Sequence, residues 1–378
     1  MLVFIFLLAG ASVVAAVVLR WIAVKVTAGF LALVLAAFGG VVGVNDYFGY
    51  YQSWGAAYSD LTGQTFAVHA SEGRYSQAAL HVDGVPRGSV HLVTLTGAKT
   101  HISRTGYIYL PPQYSDPAYR TVRFPVLELL PGMPGSPADW FDVMHINDVM
   151  DQLIATHRVG PMILVAARTH VGNVAEECLN SSLAQDDTYV NSDIPAYVRA
   201  HFRASDQPAQ WALFGTSAGG YCATNLALRH PADWGAAVSL DGYYLPSDGP
   251  AQAIIDRNPR LAHGNNPIQI AAGLPPGTAP LPAFWLSVGT ANKDDVREEQ
   301  LLVAAMAHLE QVHVMLLIGG THTGYTFRET TPPALEWCWD QLSTPLLKVD
   351  FPLAGRVIVT NQKRRPPVRP ELEPESGQ

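Results

Sequence analysis

The chain has 378 residues, of which 48% are hydrophobic and only 15% charged, with a formal net charge of −8; a soluble domain ordinarily carries about 25% charged residues. This composition excludes a disordered or collagen-like chain, and the acidic balance leaves no electrostatic footprint for nucleic acid. Three cysteines, Cys178, Cys222 and Cys338, with no CxxC pair among them, are too few for a disulfide scaffold and argue against a structural zinc site.

The N-terminus concentrates the apolar residues. Leu2 to Leu19 is an 18-residue run without a charge, and after Arg20 and Lys25 a second uncharged run extends from Val26 to Val44. About 18 apolar residues suffice for a membrane-spanning helix, and the backbone must then satisfy its own hydrogen bonds. No basic segment precedes the first run, so a cleaved signal peptide fits poorly. The expectation is a two-helix transmembrane hairpin over residues 1–46. Arg20 and Lys25, the only cations in the first 70 residues, lie in its connector, which the positive-inside rule places in the cytoplasm. Trp54, Tyr47, Tyr50 and Tyr51 then fall near an interfacial belt, and everything after residue 50 is extracytoplasmic.

Residues 47–87 read as a linker. From residue 88 to 346 short apolar strands alternate with helical patterns. Strands are predicted at Ser89–Thr96, Thr105–Leu110, Phe124–Leu130, Met162–Ala166, Trp211–Phe214, Ala236–Leu240, Phe284–Val288 and Val312–Ile318. Helices are predicted at Asn147–His157, Ile194–His201, Tyr221–Arg229 and Val296–Leu309. All-apolar strands separated by helices imply a mostly parallel sheet covered on both faces, an α/β domain. Residues 347–378, rich in proline and charge, read as a disordered tail.

One motif carries chemistry. Gly215–Thr216–Ser217–Ala218–Gly219 is a G-x-S-x-G sequence directly after an apolar strand and directly before a helix, the context of a nucleophile elbow. Small residues permit the tight turn that lifts the Ser217 hydroxyl above the sheet, and the helix N-terminus presents the Ala218 amide to developing negative charge. A serine needs a base, and in this arrangement an acid and then a histidine follow the serine. Among His230, His263, His308, His313 and His322, only His322 stands in a loop just after the last strand, where open α/β sheets place their sites. Asp294 and Asp295 follow the preceding strand. Asp294 takes the acid's place ahead of Asp295, which is better placed to cap the next helix, and Asp241, after Ser239–Leu240, is a third candidate. In the loop Leu130–Pro131–Gly132–Met133–Pro134–Gly135, Pro134 has no amide hydrogen, so Met133 is the second oxyanion donor beside Ala218.

Together, Leu129–Leu130–Pro131–Gly132–Met133 with Asp139–Trp140, the Gly215–Gly219 elbow, Gly289–Thr290 followed by an acid, and Gly320–Thr321–His322 resemble the esterase D-type α/β-hydrolases, which include the actinobacterial mycolyltransferases. The resemblance covers about residues 88–345 and implies the α/β-hydrolase fold, with Ser217, an acid at 294 or 295, and His322 as triad and Met133 and Ala218 as oxyanion hole. This sequence lacks the arginine that mycolyltransferases tend to carry after the oxyanion-loop glycine, and Thr323–Gly324 stand where aromatic residues are expected after the histidine.

The leading expectation is therefore a membrane-anchored, extracytoplasmic serine esterase acting on a small-molecule or lipid ester. The first alternative passes the acyl group to a sugar or lipid hydroxyl; the second keeps the fold as a non-catalytic surface-binding protein. Cys222 reads as a small buried side chain, and Cys178 as able to pair with a cysteine that the sequence does not identify. No phosphate loop, HExxH or nicotinamide fingerprint occurs, so neither cofactor nor metal is expected.

Overall fold

The computed structural model describes residues 2–18, 22–48, 80–82, 85–169, 178–245, 255, 258–275, 277–278, 281–309 and 312–342. The tail and most of the linker expected from sequence lie outside these residues.

At the N-terminus, α1 (Leu2–Val18) packs against α2 (Ile22–Phe48). They meet closely at Gly39, where an added Cβ would touch Ile5 and Phe6 at 3.3–3.4 Å. Within α2, Val24–Asp46 is a 23-residue stretch of mean hydropathy 2.2, long and apolar enough to cross a membrane. The 17 described residues of α1 span only about 26 Å at 1.5 Å per residue, short of a bilayer core of about 30 Å. One helix, not two, therefore meets the length requirement among the described residues.

A small antiparallel pair, β1 (Leu80–Val82) and β2 (Val85–Arg87), precedes the main sheet. That sheet holds eight strands: β3 (Ser89–Thr96), β4 (Ser103–Leu110), β5 (Val126–Leu130), β6 (Ile163–Ala167), β7 (Trp211–Thr216), β8 (Ala236–Leu240), β9 (Ala283–Gly289) and β10 (Val312–Leu317). Their spatial order is β3-β4-β6-β5-β7-β8-β9-β10. Pairing is antiparallel at β3–β4 and β4–β6 and parallel from β6 through β10. The central strands β5 to β9 are buried at every position, which explains why their sequences are near-continuous apolar runs, broken only by buried Glu128, Thr216, Ser239 and Ser287, rather than alternations.

Helices cover both faces. On one side lie α4 (Ile194–His201), α5 (Ala218–Arg229) and α6 (Lys293–Ala305), contributing Val198, Leu226 and Leu302 to a core with Val126, Leu130 and Leu213. On the other, α3 (Ile146–Ala155) and α7 (Gly324–Leu342) bring Met150, Leu153, Leu335 and Trp339 onto Leu127, Leu129 and Phe214. Each sheet face thus owns a separate apolar layer, and the loops at the C-terminal strand ends are left to build a site.

Candidate active site

Ser217 stands where β7 turns into α5, with φ 52° and ψ −119°. Positive φ is rare for a side chain other than glycine and is held only where the surroundings enforce it. Here the Ser217 amide donates to the Leu240 carbonyl at 3.0 Å, and the Tyr221 amide to the Ser217 carbonyl at 3.1 Å. The turn also needs bare backbone: a Cβ at Gly215 would lie 2.0 Å from the Gly219 carbonyl oxygen, and one at Gly219 would lie 2.0 Å from that of Leu130. Close approach therefore fixes both glycines of the motif.

His322 lies where the sequence sets it, after the last strand. It occupies a short turn between β10 and α7 that is tied down on both sides. The Ala291 amide donates to the Gly320 carbonyl at 2.8 Å, the Gly319 amide to Thr290 Oγ1 at 2.9 Å, and the Phe327 amide to the Thr323 carbonyl at 3.1 Å. The Phe327 ring meets the imidazole edge-on at 5.4 Å. These restraints aim Nε2 at Ser217 Oγ, 2.8 Å away.

The other ring nitrogen faces carboxylates. His322 Nδ1 is 2.9 Å from Asp295 Oδ2 and 3.1 Å from Asp241 Oδ2. Asp294, preferred from sequence, does not take this position; it is exposed in the first turn of α6. The reason is helical register. Residue Asn292 is the N-cap, so both aspartates lie within the helix, where successive side chains diverge by about 100°. Only one can face the imidazole. The N-cap position expected for Asp295 is held by Asn292, whose side chain bonds no helix amide and whose amide group instead donates to Asp295 Oδ2. Burial alone would lower the His322 imidazole, but hydrogen bonds to both aspartates and their charges outweigh it and raise the group to about 9.

The loop after β5 lies across the serine. A Cβ on Gly132 would be 3.2 Å from Ser217 Cβ, and Met133 joins Pro134 through a cis peptide. Ala218, the other expected donor, is the first residue of α5. Between this loop, Trp140, Val143, Met144 and Phe327 lies a mainly apolar cavity of ≈ 210 Å³ with Ser217 and His322 in its wall.

The remaining candidate histidines lie elsewhere. His230 ends α5 and pairs with Asp187 at 2.8 Å, His263 bonds Gln269, and His313 stacks on Trp285. Asp241, Asp295 and His322 each offer one donor atom within 4.8 Å of the others and are the group among the described residues able to hold a metal ion. In the arrangement observed His322 Nδ1 is hydrogen-bonded to Asp295 Oδ2 and faces Asp241 Oδ2 at 3.1 Å. The partner that the sequence left open for Cys178 is Cys222: the two form a disulfide with Cα atoms 5.6 Å apart, so Cys222 is not the plain buried thiol expected. Their separation of 44 residues left no local signal.

A model of the Esterase family matches residues 97–339. An uncharacterised protein of Corynebacterium glutamicum is 30% identical over 156 residues, which is 41% of this chain and only 36% of that relative's length. Among solved structures, a ferulic acid esterase matches with a TM-score of 0.59 at 20% identity, covering 68% of this chain and 99% of that one. An S-formylglutathione hydrolase of Agrobacterium tumefaciens gives 0.55 at 16% identity, over 70% and 99%. A fluorophosphonate-binding serine hydrolase of Staphylococcus aureus gives 0.54 at 16%, over 67% and 99%. Likeness at these identities establishes the α/β-hydrolase fold.

Proposed function

Because the chain belongs to the Esterase family, we propose that it is a membrane-anchored serine esterase whose nucleophile is Ser217 and whose base is His322, with Asp295 orienting the imidazole. The observation that carries this reading is the unbroken chain from Ser217 Oγ to His322 Nε2 at 2.8 Å and from His322 Nδ1 to Asp295 Oδ2 at 2.9 Å. Ser217 Oγ attacks the ester carbonyl as its proton passes to Nε2, and the carbonyl oxygen gains negative charge facing the amides of Met133 and Ala218. Collapse of the tetrahedral intermediate breaks the bond to the alcohol, which leaves with the proton from Nε2. Water, deprotonated by the same nitrogen, then releases the acid and restores Ser217.

The cavity of ≈ 210 Å³ is smaller than the roughly 300–1,000 Å³ typical of drug-sized ligand sites, which supports an ester with a compact, apolar acyl group. An extracytoplasmic position is supported by the Cys178–Cys222 disulfide, a bond that persists in oxidising compartments, and by Arg20 just before α2 and Lys25 in its first turn, the cations at the N-terminal end of that helix. The Tyr325 hydroxyl, three residues past His322, reaches the Asp46 carbonyl near the end of α2 at 3.4 Å, which supports a reaction carried out close to that helix.

The test is hydrolysis of p-nitrophenyl esters of graded acyl length by the full chain in detergent, with labelling by a fluorophosphonate probe. Turnover and labelling should both vanish, by about 10⁵-fold or more, in Ser217→Ala. Labelling that survives this substitution overturns the assignment. Acyl transfer to an added sugar in preference to water would make the protein a transferase.

A further inference from the structure

We propose that the His322 imidazole is held by two carboxylates at once, Asp295 from α6 and Asp241 from the end of β8, so that Asp241 is a second positioning residue for the base rather than a structural aspartate. The inference rests on the reading of Ser217 and His322 as nucleophile and base.

Asp241 is fixed by the sheet. Strands β8 and β9 run parallel with Leu240 beside Ser287, so the residue after β8 emerges next to the strand that leads to Asp295. The Asp241 amide donates to the Ser287 carbonyl at 2.6 Å, and its Oδ1 accepts the Gly289 amide at 2.9 Å. Its φ of 52° is a conformation an aspartate keeps only when its surroundings demand it. With one oxygen so occupied, the other is buried, has no hydrogen-bond partner and lies at ion-pair distance, 3.1 Å, from His322 Nδ1. The residue is 1% exposed. A carboxylate buried in this way is costly unless a positive charge answers it, and the charge within reach is an imidazolium.

The groups facing the imidazole are Ser217 from the elbow, Asp241, Asp295, and the edge of Phe327 from α7. Next to the two carboxylates are Tyr244 and Glu299. Glu299 lies one turn beyond Asp295 on α6 and is 2% exposed. Burial first, then the charges of Asp241 and Asp295, push its carboxyl up to about 8, so at neutral pH it adds no third negative charge. Two carboxylates favour the imidazolium that forms during attack, but they also keep the resting ring protonated. The consequence is a base that works on the alkaline side and that survives the loss of either acid.

The experiment measures the rate of Ser217 phosphonylation by a fluorophosphonate probe between pH 5 and 10 for the full chain, Asp241→Asn, Asp295→Asn and the double variant. Asparagine at 241 can keep the Gly289 bond through its amide oxygen while removing the charge. The expected wild-type rate rises with a midpoint near 9. Each single variant should move that midpoint down by at least about one unit and stay within about 100-fold of wild type. The double variant should fall by about 10⁴-fold, the loss seen when a triad is deprived of its only acid. Damage to packing alone would lower the rate without moving the midpoint. The inference is overturned if Asp241→Asn leaves the midpoint at the wild-type value, or if Asp295→Asn alone falls as far as the double variant. A wild-type chain that is not labelled at any pH overturns the esterase reading and this inference together, whereas a labelled chain with an unmoved Asp241→Asn midpoint overturns this inference alone.

Discussion

Cys222, on α5 five residues beyond Ser217, is bonded to Cys178, which lies after β6 in the chain, so Cys178 is fastened to the helix that follows Ser217. The bond closes a sequence separation of 44 residues, for which the loss of unfolded-chain entropy corresponds to about 4 kcal/mol. Reduction with dithiothreitol, or the pair Cys178→Ser and Cys222→Ser, is expected to lower Tm of the catalytic domain by about 10 °C. Calorimetry with and without reductant checks this. Equal melting temperatures would show that the bond does not contribute. Cys338 is buried on the other sheet face, its thiol pushed up by burial, and should resist alkylation in the native protein.

The elbow offers a sharper steric test. A methyl group at Gly219 would meet the Leu130 carbonyl oxygen at 2.0 Å, a backbone atom that cannot rotate away. Gly219→Ala is therefore expected to cost about 3 kcal/mol or more and to abolish labelling of Ser217, because relief of the clash requires either β5 or the turn to shift. At Gly264, where an added Cβ meets nothing within 4 Å, the same substitution should leave labelling intact.

Specificity is expected to follow the cavity wall. Met144 is 6% exposed and lines the cavity together with Gly132 and Met133. Truncation in Met144→Ala lengthens the space for the acyl chain, and each added methylene that fits a pocket is worth about 1–3 kcal/mol of discrimination. The ratio of kcat/KM for hexanoyl over acetyl p-nitrophenyl esters should rise by about 10-fold or more. An unchanged ratio would place the acyl group elsewhere and the alcohol in this cavity.

All eight strands of the main sheet were legible because each buried strand writes itself as an apolar run closed by Gly, Pro or a polar turn. The elbow and His322 were legible for the same local reason: a strand, a motif and a helix in immediate succession, then a glycine-flanked histidine after the last strand. Which aspartate faces the imidazole was not, since the choice between Asp294 and Asp295 depends on where α6 begins, and one residue of register turns the carboxylate away. Asp241 stood third because sequence does not reveal that β8 and β9 end side by side. Helix α7 escaped notice because Pro332 and Pro333 lie within it, and prolines read as breakers. Its threonines read as strand formers, yet Thr330 and Thr331 turn their hydroxyls back onto carbonyls of the preceding turn.

The charge cluster around His322 should also make the fold sensitive to alkali. The His322 imidazole is raised to about 9 from an ordinary value near 6.5, so the folded protein holds that proton more tightly than the unfolded chain. Its contribution is complete below about 6.5 and is lost as pH rises through 9. Glu299 acts in the same direction. Its carboxyl is raised to about 8, so the folded state favours the neutral acid, a preference fully present below its ordinary value near 4.5 and lost as pH climbs through 8. Both groups bind more protons folded than unfolded, hence stability should decline between pH 5 and 9. Calorimetry at pH 5, 7 and 9 is expected to show Tm falling across the series. Glu299→Gln removes one of the two titrations and should flatten the decline most between pH 5 and 8. If Tm instead rises with pH over this range, either the imidazole or the glutamate is not held in its protonated form.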